Sequence, residues 1–488
     1  MIHKDLVKFS PELKSGCFQI AETVAGAGGR ALLVGGCVRD ALLNQKHVEG
    51  QAATQTEAVL SKDIDIEVFG LSAETLEHVL EPFFDIKHVG RSFGVYKVKG
   101  LEIDVALPRR ESKAGKGHKE FTVESDPHMS HESAALRRDF TINTIAWNPL
   151  TGEVIDPFGG CEDLKKGILR HTGERFSEDP LRVLRAMQHL ARFELTIAPE
   201  TLELCKHIEP EGLSKERIFD EWKKLILLGV RPSLGLTFLK DCGWVRYFPE
   251  LEALIGCEQD PKWHPEGDVW VHTLCCMDAF AQGRIGNFWE DLVVGFGVLC
   301  HDLGKPPTTK IEADGRIHSY GHDIEGEAPT RSFLGRMSEQ KELIDAVVLL
   351  VVHHLMPFML YKDNAGDASI RRLAHKVKNL DRLARVAYAD EGGRPGRSNG
   401  ECPQGEWLLK RAHELEVHDS APKPIMKGRH LIALGMKPGE DFKAILNACY
   451  EAQLEGDFKD IKGGLNFLRH FLKDHPAIKT PIQLPESD

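Results

Sequence analysis

Two acidic residues, two positions apart, follow a glycine pair near the start of the chain. The glycine pair is Gly35-Gly36, Arg39 comes three residues later, and the acidic residues are Asp63 and Asp65. Glycines beside an arginine let backbone N–H groups approach a phosphate closely. On a strand, residues two apart project from the same face, so Asp63 and Asp65 could hold a pair of magnesium ions. This combination is typical of nucleotidyl transfer.

A third carboxylate and a basic stretch follow. Asp104 lies in a β-rich segment, where it either completes the metal site or deprotonates an incoming hydroxyl, or is an ordinary edge-strand charge. From residue 97 to 119 the chain carries seven basic and three acidic residues, a net charge of +4. Glycines interrupt this stretch, so we interpret part of it as a mobile basic loop, which either contacts nucleic acid or is simply solvated.

Two further segments carry arginines suited to phosphate or base recognition. The first contains Arg138 and Asn143, and an arginine fork can hold a triphosphate bidentately. Asn143 could bond a ribose hydroxyl or cap a helix. In the second, Asp179, Arg182 and Arg185 share one helix face, so an acceptor and a donor could pair with the edge of a nucleobase. Alternatively, Asp179 is the N-cap of a helix that starts with proline, and Arg182 is an ordinary surface residue.

A separate group has the composition of a divalent-metal site. It consists of His272, the adjacent pair His301-Asp302, and Asp390. Imidazole nitrogens and carboxylate oxygens together suit divalent transition metals, and the spacing predicts a site assembled from several helices. His322 and the pair His353-His354 are additional candidates, as ligands, proton donors or hydrogen-bonded core residues.

Composition describes an ordinary folded protein of about three domains. The chain has 488 residues, 42% hydrophobic and 28% charged, with a net charge of −12, which does not by itself indicate a nucleic-acid binder. We expect no apolar run of the 18 or so residues that span a membrane, and no signal peptide. The eleven cysteines lack a Cys-x-x-Cys pair, which favours reduced thiols and a cytoplasmic location.

The periodicity predicts a mixed α/β region followed by helices. The predicted strands are 31–34, 64–68, 95–98 and 101–106, and the predicted early helices are 6–27 and 73–80. A polar insertion is expected at 45–61, and a turn at Asp156–Gly160. The later predicted helices are 180–193, 201–208, 215–228, 234–241, 272–281, 289–301, 341–354 and 369–389.

The order of the head motifs resembles that of bacterial class II tRNA nucleotidyltransferases and poly(A) polymerases. The segments that carry the resemblance are 33–40, 63–65, 137–143, 156–160 and 178–185, and segments 213–218 and 248–251 resemble the family's helical neck and body. The resemblance implies that Asp63 and Asp65 bind magnesium. It also implies that Gly36, Arg39 and Arg138 hold the triphosphate and ribose, and that the Asp179–Arg185 segment reads the base. Thr144 departs from the alanine usual there.

The histidine–aspartate group resembles an HD-domain metal-dependent phosphohydrolase. Segments 265–268 and 401–405 are similar to those of the form fused to bacterial CCA-adding enzymes. This implies hydrolysis of 2′,3′-cyclic phosphates or phosphomonoesters at RNA ends. We therefore expect an α/β nucleotidyltransferase head (1–162), a helical neck and body for base recognition and RNA binding (163–256), an all-α HD domain (257–400) and a C-terminal helical region (401–488).

The expected function is template-independent addition or repair of the 3′-terminal CCA of tRNA with CTP and ATP. The expected cofactors are Mg²⁺ in the head and a divalent transition metal at the HD site, and no membrane is expected as a partner. A poly(A) polymerase shares every head motif and is the nearest alternative, although the pI of about 6.0 favours CCA addition. An alarmone synthetase–hydrolase would place its HD domain first. An RNA-binding scaffold would not need the intact carboxylates.

Overall fold

The chain divides into two compact units, Met1–Trp244 and Val245–Asp488. The computed structural model describes residues 6–50, 63–88, 94–113, 121–396 and 400–475, and within these it describes no side chains for 46–50, 110–113 and 121–125. The four-domain division expected above therefore stays a prediction.

The first unit is built on a mixed sheet. Its strands are β1 Arg30–Val34, β2 Ile64–Phe69, β3 Ile86–His88, β4 Val95–Val98, β5 Ile103–Ala106, β6 Arg109–Lys113, β7 Phe121–Ser125, β8 Ala146–Trp147, β9 Val154–Ile155, β10 Ile168–Leu169 and β11 Thr196–Ile197. Seven of them form one sheet in the order β3-β4-β5-β2-β1-β8-β9. β2 pairs antiparallel with β1 and parallel with β5, which puts the ends of β2 and β5 side by side.

Helices cover this sheet and continue beyond it. They are α1 Pro11–Gly26, α2 Gly36–Gly50, α3 Ala73–Leu80, α4 His131–Ala135, α5 Gly160–Lys166, α6 Leu181–Phe193, α7 Pro199–Lys206, α8 Lys215–Leu228 and α9 Pro232–Asp241. α1 begins where Ser10 accepts a hydrogen bond from the backbone N–H of Leu13 and Pro11 occupies the first turn. The apolar faces of α6, α8 and α9 pack together in the helical part of this unit.

The described part of the second unit is helical apart from a two-residue ladder. Its helices are α10 Pro249–Glu252, α11 Val269–Gln282, α12 Phe288–Cys300, α13 Lys305–Thr308, α14 His322–Glu325, α15 Glu327–Met337, α16 Lys341–His353, α17 Met356–Lys362, α18 Asp367–Val377, α19 Leu380–Gly392, α20 Pro403–Glu414, α21 Gly428–Ala433, α22 Glu440–Glu455 and α23 Ile461–Asp474. The ladder pairs β12 Lys310–Ile311 with β13 Ile317–His318. The α/β head followed by helices confirms the predicted fold class.

Several element boundaries differ from the sequence expectations. The first helix starts at Pro11 rather than at residue 6, because Ser10 caps it. The helix expected over 369–389 is two helices, since Lys378 adopts a left-handed backbone and Asn379 caps α19. Residues 109–113 of the basic stretch form strand β6, paired with β7, and the part interrupted by glycines, where the loop is expected, lies outside the described residues. The polar insertion expected at 45–61 begins as the end of α2, and its remainder from 51 lies outside the described residues.

One segment passes a test of length and composition for a membrane-spanning helix, although it holds no continuous apolar run of 18 residues. Lys341–Lys362 has a mean hydropathy of 2.1 over 18 residues and passes that test by length and composition. The structure shows why it is apolar: α16 is a central helix of the second unit and packs against α12 and α15. Its end carries His354, which lies in the polar cluster described below.

Candidate active site and metal centre

Three carboxylates gather at the end of β2 and β5. Asp65 and Asp104 are direct neighbours in the parallel register, and Asp63 lies two residues before Asp65. Asp63 and Asp65 are exposed while the intervening Ile64 is buried, so both carboxylates leave the same face, as the sequence predicts. Loss of bulk hydration, followed by the negative charges of Asp104 and Asp63, raises the pKa of Asp65, although Arg138 opposes this. A cation would relieve this crowding of like charges.

The turn after β1 lies against these carboxylates. Gly35 has a φ of 74°, a conformation that favours glycine, and a Cβ there would lie 3.3 Å from Nη1 of Arg138 and 3.7 Å from Oδ2 of Asp65. Nη2 of Arg138 is 3.5 Å from the buried carboxylate of Glu67, which also pairs with Arg137 at 2.9 Å. Glu67 therefore positions both arginines beside the glycine turn.

The glycine turn, the carboxylates and the arginines line a cavity of about 600 Å³. Of the head residues predicted from sequence, ten line it: Gly35, Gly36, Arg39, Asp65, Asp104, Arg138, Asn143, Asp179, Arg182 and Arg185. The cavity thus brings Asp65 and Asp104 together with the predicted triphosphate-binding and base-reading residues, whereas Asp63, the other predicted magnesium ligand, does not line it. Its volume suits a nucleotide, since small-molecule sites are clefts of roughly 300–1,000 Å³.

A chain of hydrogen bonds links four of these side chains. Nη1 of Arg39 donates to Oδ1 of Asn143 at 2.7 Å, and Nδ2 of Asn143 donates to Asp139 at 2.8 Å. Asp139 also accepts from Nε of Arg185 at 2.6 Å. Asn143 therefore does not cap a helix, because its amide is engaged by Arg39 and Asp139.

Asp139 stays ionised in this network. Burial alone would raise its pKa, but the charge of Arg185 and the hydrogen bonds from Arg185 and Asn143 hold the pKa well below its usual range. Burial, followed by the charges of Arg39 and Arg185, lowers the pKa of neighbouring His189 well below its ordinary value. His189 is therefore neutral at pH 7, and Arg185 is the cation that Asp139 faces.

Asp179 and Arg182 are held by specific contacts. Oδ1 of Asp179 accepts from the backbone N–H of Leu181 at 3.1 Å, and Oδ2 pairs with Arg217 at 2.7 Å. Arg182 donates to the backbone carbonyls of Arg175 and Arg137. Asp179 is therefore not the N-cap of α6, which is Pro180, although its Oδ1 accepts from the first helical N–H; Arg182 is anchored to two loops rather than free on the surface. Both still line the cavity.

The second unit contains a buried cluster of histidines and aspartates. His272, His301, Asp302 and Asp390, the four predicted ligands, are each at most 3% exposed and come from α11, the end of α12 and α19. Nε2 of His272 is 3.2 Å from Oδ1 of Asp390 and 3.8 Å from Oδ2 of Asp302, and Nε2 of His301 is 3.3 Å from Oδ2 of Asp302. The structure brings all four together.

The other oxygen of Asp302 faces a second pair of histidines. Oδ1 is 3.4 Å from Nε2 of His322 and 3.9 Å from Nε2 of His354, and these two nitrogens are 3.2 Å apart. Asp302, His322 and His354 form a ligand group of their own, and Asp302 faces His272 and His301 through its other oxygen. His353, the other member of the pair, is not in any group found among the described residues.

Each ring is oriented by a hydrogen bond at Nδ1. The acceptors are the backbone carbonyls of Val298 for His301, Ser319 for His322 and Val351 for His354, each at 2.7 Å, and the carboxylate of Glu266 for His272 at 2.7 Å. A donor at Nδ1 leaves Nε2 as the ligand atom, which is the usual arrangement behind metal-binding histidines. These four Nε2 atoms all face the aspartates, so the donor set fits a divalent metal.

The protonation of His354 and of Glu266 favours ligand chemistry, whereas the pKa of His301 is raised: burial lowers it, but the charges of Asp302 and Asp390 and the hydrogen bond to Asp302 outweigh burial. Burial and the charges of His322 and His301 lower the pKa of His354 to about 3, so this ring is neutral. Burial raises the pKa of Glu266, but the hydrogen bonds from His264 and His272 outweigh it and bring the pKa to about 2. Glu266 is thus an ionised acceptor that fixes His272.

The cluster opens on a cavity of about 290 Å³ with two cations in its wall. Nζ of Lys305 lies 2.7 Å from Asp302 and 2.6 Å from Gln259, and Nη2 of Arg394 lies 2.5 Å from Asp390. Both cations are positioned to attract an anionic group beside the histidines.

Comparison with known proteins identifies the family. Residues 31–170 match the model of the poly A polymerase head domain, and residues 194–255 match that of a probable RNA and SrmB-binding site of polymerase A. The multifunctional CCA protein of Stenotrophomonas maltophilia (strain R551-3) is 36% identical over 404 residues, which cover 79% of this chain and 91% of that protein. That of Xanthomonas campestris pv. campestris (strain B100) is 35% identical over 430 residues, 85% and 96% of the two chains. The chain belongs to the multifunctional CCA protein family.

Solved CCA-adding enzymes share the fold of this family member. The Bacillus stearothermophilus CCA-adding enzyme in complex with CTP aligns with a TM-score of 0.63 and 23% identity over 96% of this chain and all of that one. The Thermotoga maritima CCA-adding enzyme complexed with tRNA aligns with a TM-score of 0.59 and 19% identity over 97% and 99%. At such identities the likeness shows the fold alone. The resemblance stated from the sequence is confirmed.

Several site residues of this chain were not found by sequence reasoning. In the head they include Glu67 and Asp139, which hold the arginines, and in the second unit Glu266, Lys305 and Arg394. The spacing signalled Glu67, because it continues the two-residue period of Asp63 and Asp65 on β2. For Asp139 no local signal existed, since its partners come from α6 and from Asn143.

Proposed function

We propose that the chain is a template-independent tRNA nucleotidyltransferase that adds or repairs the 3′-terminal CCA with CTP and ATP, and that its second unit is a metal-dependent phosphohydrolase for RNA ends. The observation that carries the first activity is the pairing of Asp65 with Asp104 in one cavity with the glycine turn and Arg138. The names of the curated relatives support CCA addition as the outcome.

Different head residues have different roles in nucleotidyl transfer. Asp63 and Asp65 would hold Mg²⁺, which when bound lowers the barrier by neutralising charge on the phosphates and on the pyrophosphate that leaves. Asp104 accepts the proton of the 3′-hydroxyl of the tRNA as that oxygen attacks the α-phosphate in line. Lys97 pairs with Asp104 at 3.1 Å.

The remaining cavity residues bind and orient the nucleotide. Gly35 and Gly36 offer backbone N–H groups to the triphosphate, and Arg138 neutralises it. Arg39 and Asn143 support the ribose side through their mutual hydrogen bond. The anchored Asp179 and Arg182 present a fixed acceptor and donor to the base. These side chains would select the base in place of a template strand.

The test uses a tRNA that lacks its terminal triplet, incubated with CTP alone, with ATP alone and with both, followed by sequencing of the RNA ends. We expect two C residues with CTP and a complete CCA with both. Failure to incorporate CTP, with A tracts made from ATP, would support the poly(A) polymerase alternative instead. Asp65→Asn should abolish all addition, whereas Asp85→Asn, which alters an exposed ion pair with Lys99, should not.

In the second unit, the histidine–aspartate cluster performs the hydrolysis. His272, His301, Asp302 and Asp390 would hold a divalent transition metal, which when bound activates water and polarises a phosphoryl oxygen. Lys305 and Arg394 attract the phosphate, and the oriented rings leave their Nε2 atoms turned to the same point. A 2′,3′-cyclic phosphate or a phosphomonoester is the substrate class, and its hydrolysis gives the head a free hydroxyl to extend.

This activity is tested with a nucleoside 2′,3′-cyclic phosphate and each of several divalent metals. Asp302→Asn should abolish hydrolysis and leave CTP incorporation unchanged, and Asp314→Asn, at an exposed pair with Arg316, should affect neither. Hydrolysis that survives Asp302→Asn would refute the assignment.

The eleven cysteines are all free, which supports the reduced, cytoplasmic setting expected for tRNA maturation.

A further inference from the structure

A cysteine thiol lies inside the histidine–aspartate cluster and has no part in the function proposed above. Cys276 is completely buried on α11, four residues after His272 and therefore on the same helix face. Its Sγ lies 3.3 Å from Nε2 of His272 and 3.8 Å from Nδ1, so it is nearer the nitrogen that faces the metal position. Sγ and the ligand atoms of His272, His301 and Asp390 all lie within 4.8 Å of one another.

These separations match two ligands of one ion. Metal–nitrogen bonds of about 2.1 Å and metal–sulfur bonds of about 2.3 Å put an adjacent nitrogen and sulfur about 3.1–3.6 Å apart at angles between a right angle and the tetrahedral angle. The 3.3 Å between Sγ of Cys276 and Nε2 of His272 falls in this range. The alternative partner of the thiol is weaker, since the backbone oxygen of Asp390 is 3.9 Å away.

Two further observations indicate a ligand at this point. Nε2 of His301 is buried and makes no well-aligned hydrogen bond, its neighbour being Oδ2 of Asp302 at 3.3 Å, although the ring is held by the carbonyl of Val298. Gly393 makes the space for the thiol: a Cβ at this position would lie 2.2 Å from Sγ of Cys276. The backbone of Gly393 has an ordinary φ of −73°, so conformational freedom is not the reason for a glycine here.

We infer that Cys276 is a sulfur ligand of the metal held by His272, His301, Asp302 and Asp390. This inference rests on the proposed metal centre and adds to it a residue that decides which metal is bound. On binding, the thiol proton is released to solvent and the sulfur forms the metal bond. A thiolate among nitrogen and oxygen ligands shifts preference from Mg²⁺ and Mn²⁺ towards softer ions such as Zn²⁺ and Co²⁺.

The second ligand group supplies an internal contrast. Asp302, His322 and His354 offer only nitrogen and oxygen atoms. If this group also binds an ion, its preference is not altered by Cys276. The neighbouring thiol supplies the matched control, because Cys275 belongs to none of the ligand groups found among the described residues.

The experiment titrates the metal-free full-length chain with Co²⁺ and records the near-ultraviolet charge-transfer absorption that a thiolate–cobalt bond gives. Wild type and Cys275→Ser should both develop the band, and Cys276→Ser should lack it. Metal content is measured in parallel, and competition with Zn²⁺ and Mn²⁺ gives the preference. Cys276→Ser should lower Zn²⁺ affinity at least about tenfold, as large as the effect of losing an outer-shell partner, and leave Mn²⁺ affinity little changed.

The outcomes separate this inference from the proposed hydrolase. If Co²⁺ binds to wild type without the band, or the band persists in Cys276→Ser, Cys276 is not a ligand while the metal centre stands. If no metal binds at all, the proposed phosphohydrolase fails as well. CTP incorporation by the head, measured on each variant, shows that the first unit is folded, and Co²⁺ binding without the band shows that the second unit still forms its metal centre.

Discussion

Replacing Asp139 by Asn should lower the stability of the head more than the similar size of the two side chains suggests. Asp139 is 7% exposed, accepts a hydrogen bond from Nε of Arg185 at 2.6 Å and one from Asn143 at 2.8 Å, and forms an ion pair with Nη2 of Arg185 at 2.6 Å. Removing one partner of a buried pair costs about 3–5 kcal/mol. Because the Arg185 side chain is 33% exposed, water offsets part of this, and we expect a loss of about 2–3 kcal/mol.

The same substitution at Asp40 is the matched control. Asp40 also pairs with a cavity arginine, Arg39, at 2.7 Å, but its side chain is 46% exposed. An ion pair of this kind contributes about 0–1 kcal/mol. Asp40→Asn should therefore change stability little, although both variants remove one negative charge near the cavity.

Hydrogen exchange followed by mass spectrometry resolves the head from the second unit. A loss of 2–3 kcal/mol in the stability of the head should speed hydrogen exchange of the α6 peptide Leu181–Phe193 by about 30- to 150-fold in Asp139→Asn. This holds when exchange takes place from the opened helix and follows its equilibrium population. Peptides of the second unit, such as Val269–Gln282, should exchange at the wild-type rate. Equal exchange of α6 in the Asp139 and Asp40 variants would refute the account.

The pH dependence has a defined sign. The folded pKa of Asp139 is held below its unfolded value, so its contribution is fully present above an unfolded pKa of about 3.9 and is lost as the pH falls below it. The gap between wild type and Asp139→Asn should therefore be constant near neutral pH and shrink only in acid. A gap that closed between pH 8 and 6 would point to His189 instead.

Three further outcomes follow from single contacts. Glu266→Gln should lower metal affinity about 10- to 100-fold, measured by calorimetry, because an amide fixes the ring of His272 less firmly than the ionised carboxylate does. Gly160→Ala should destabilise the head by at least about 1–3 kcal/mol in thermal unfolding, since its Cβ would lie 2.3 Å from the backbone oxygen of Thr141, and unchanged unfolding would contradict this. Arg182→Lys should raise KM for CTP and ATP in single-nucleotide assays, because a lysine cannot span the two backbone carbonyls; equal constants would show that the anchoring is unimportant.

The carboxylate face of the head could be predicted from sequence because its periodicity is local. Alternation along 63–67 determines which side chains share a face, and a β-rich segment around Asp104 predicts a neighbouring strand. The network through Asp139 could not be predicted in this way. Its partners are 4 and 46 residues away, and only packing of α6 against the 3-10 turn at Thr141–Asn143 brings them together.

In the metal centre of the second unit, too, some features could be predicted from the sequence and others could not. The adjacent His301-Asp302 and the isolated His272 and Asp390 have residue types that indicate metal chemistry wherever the fold places them. The ring orientations depend on carbonyls three residues earlier, such as Val298 and Val351, which any sequence would supply. Cys276 was overlooked because a buried cysteine is among the commonest core residues, and only its 3.3 Å approach to His272 distinguishes it.

The overall charge of −12 would argue against a polyanion partner, yet the head cavity reverses that sign locally. Its lining carries five acidic and nine basic side chains, a local excess of four positive charges: Asp65, Glu67, Asp104, Asp139 and Asp179 against Arg39, Arg109, Arg137, Arg138, Arg182, Arg185, Arg192, Arg217 and Lys224. The acidic residues are not evenly mixed with the basic ones. Asp65 and Asp104 stand at the strand ends, whereas Glu67, Asp139 and Asp179 each hold an arginine in place. Acidic residues thus position the basic surface that a triphosphate requires. The net charge of the chain is therefore a poor guide to its partners, because many acidic side chains serve to hold basic ones in place.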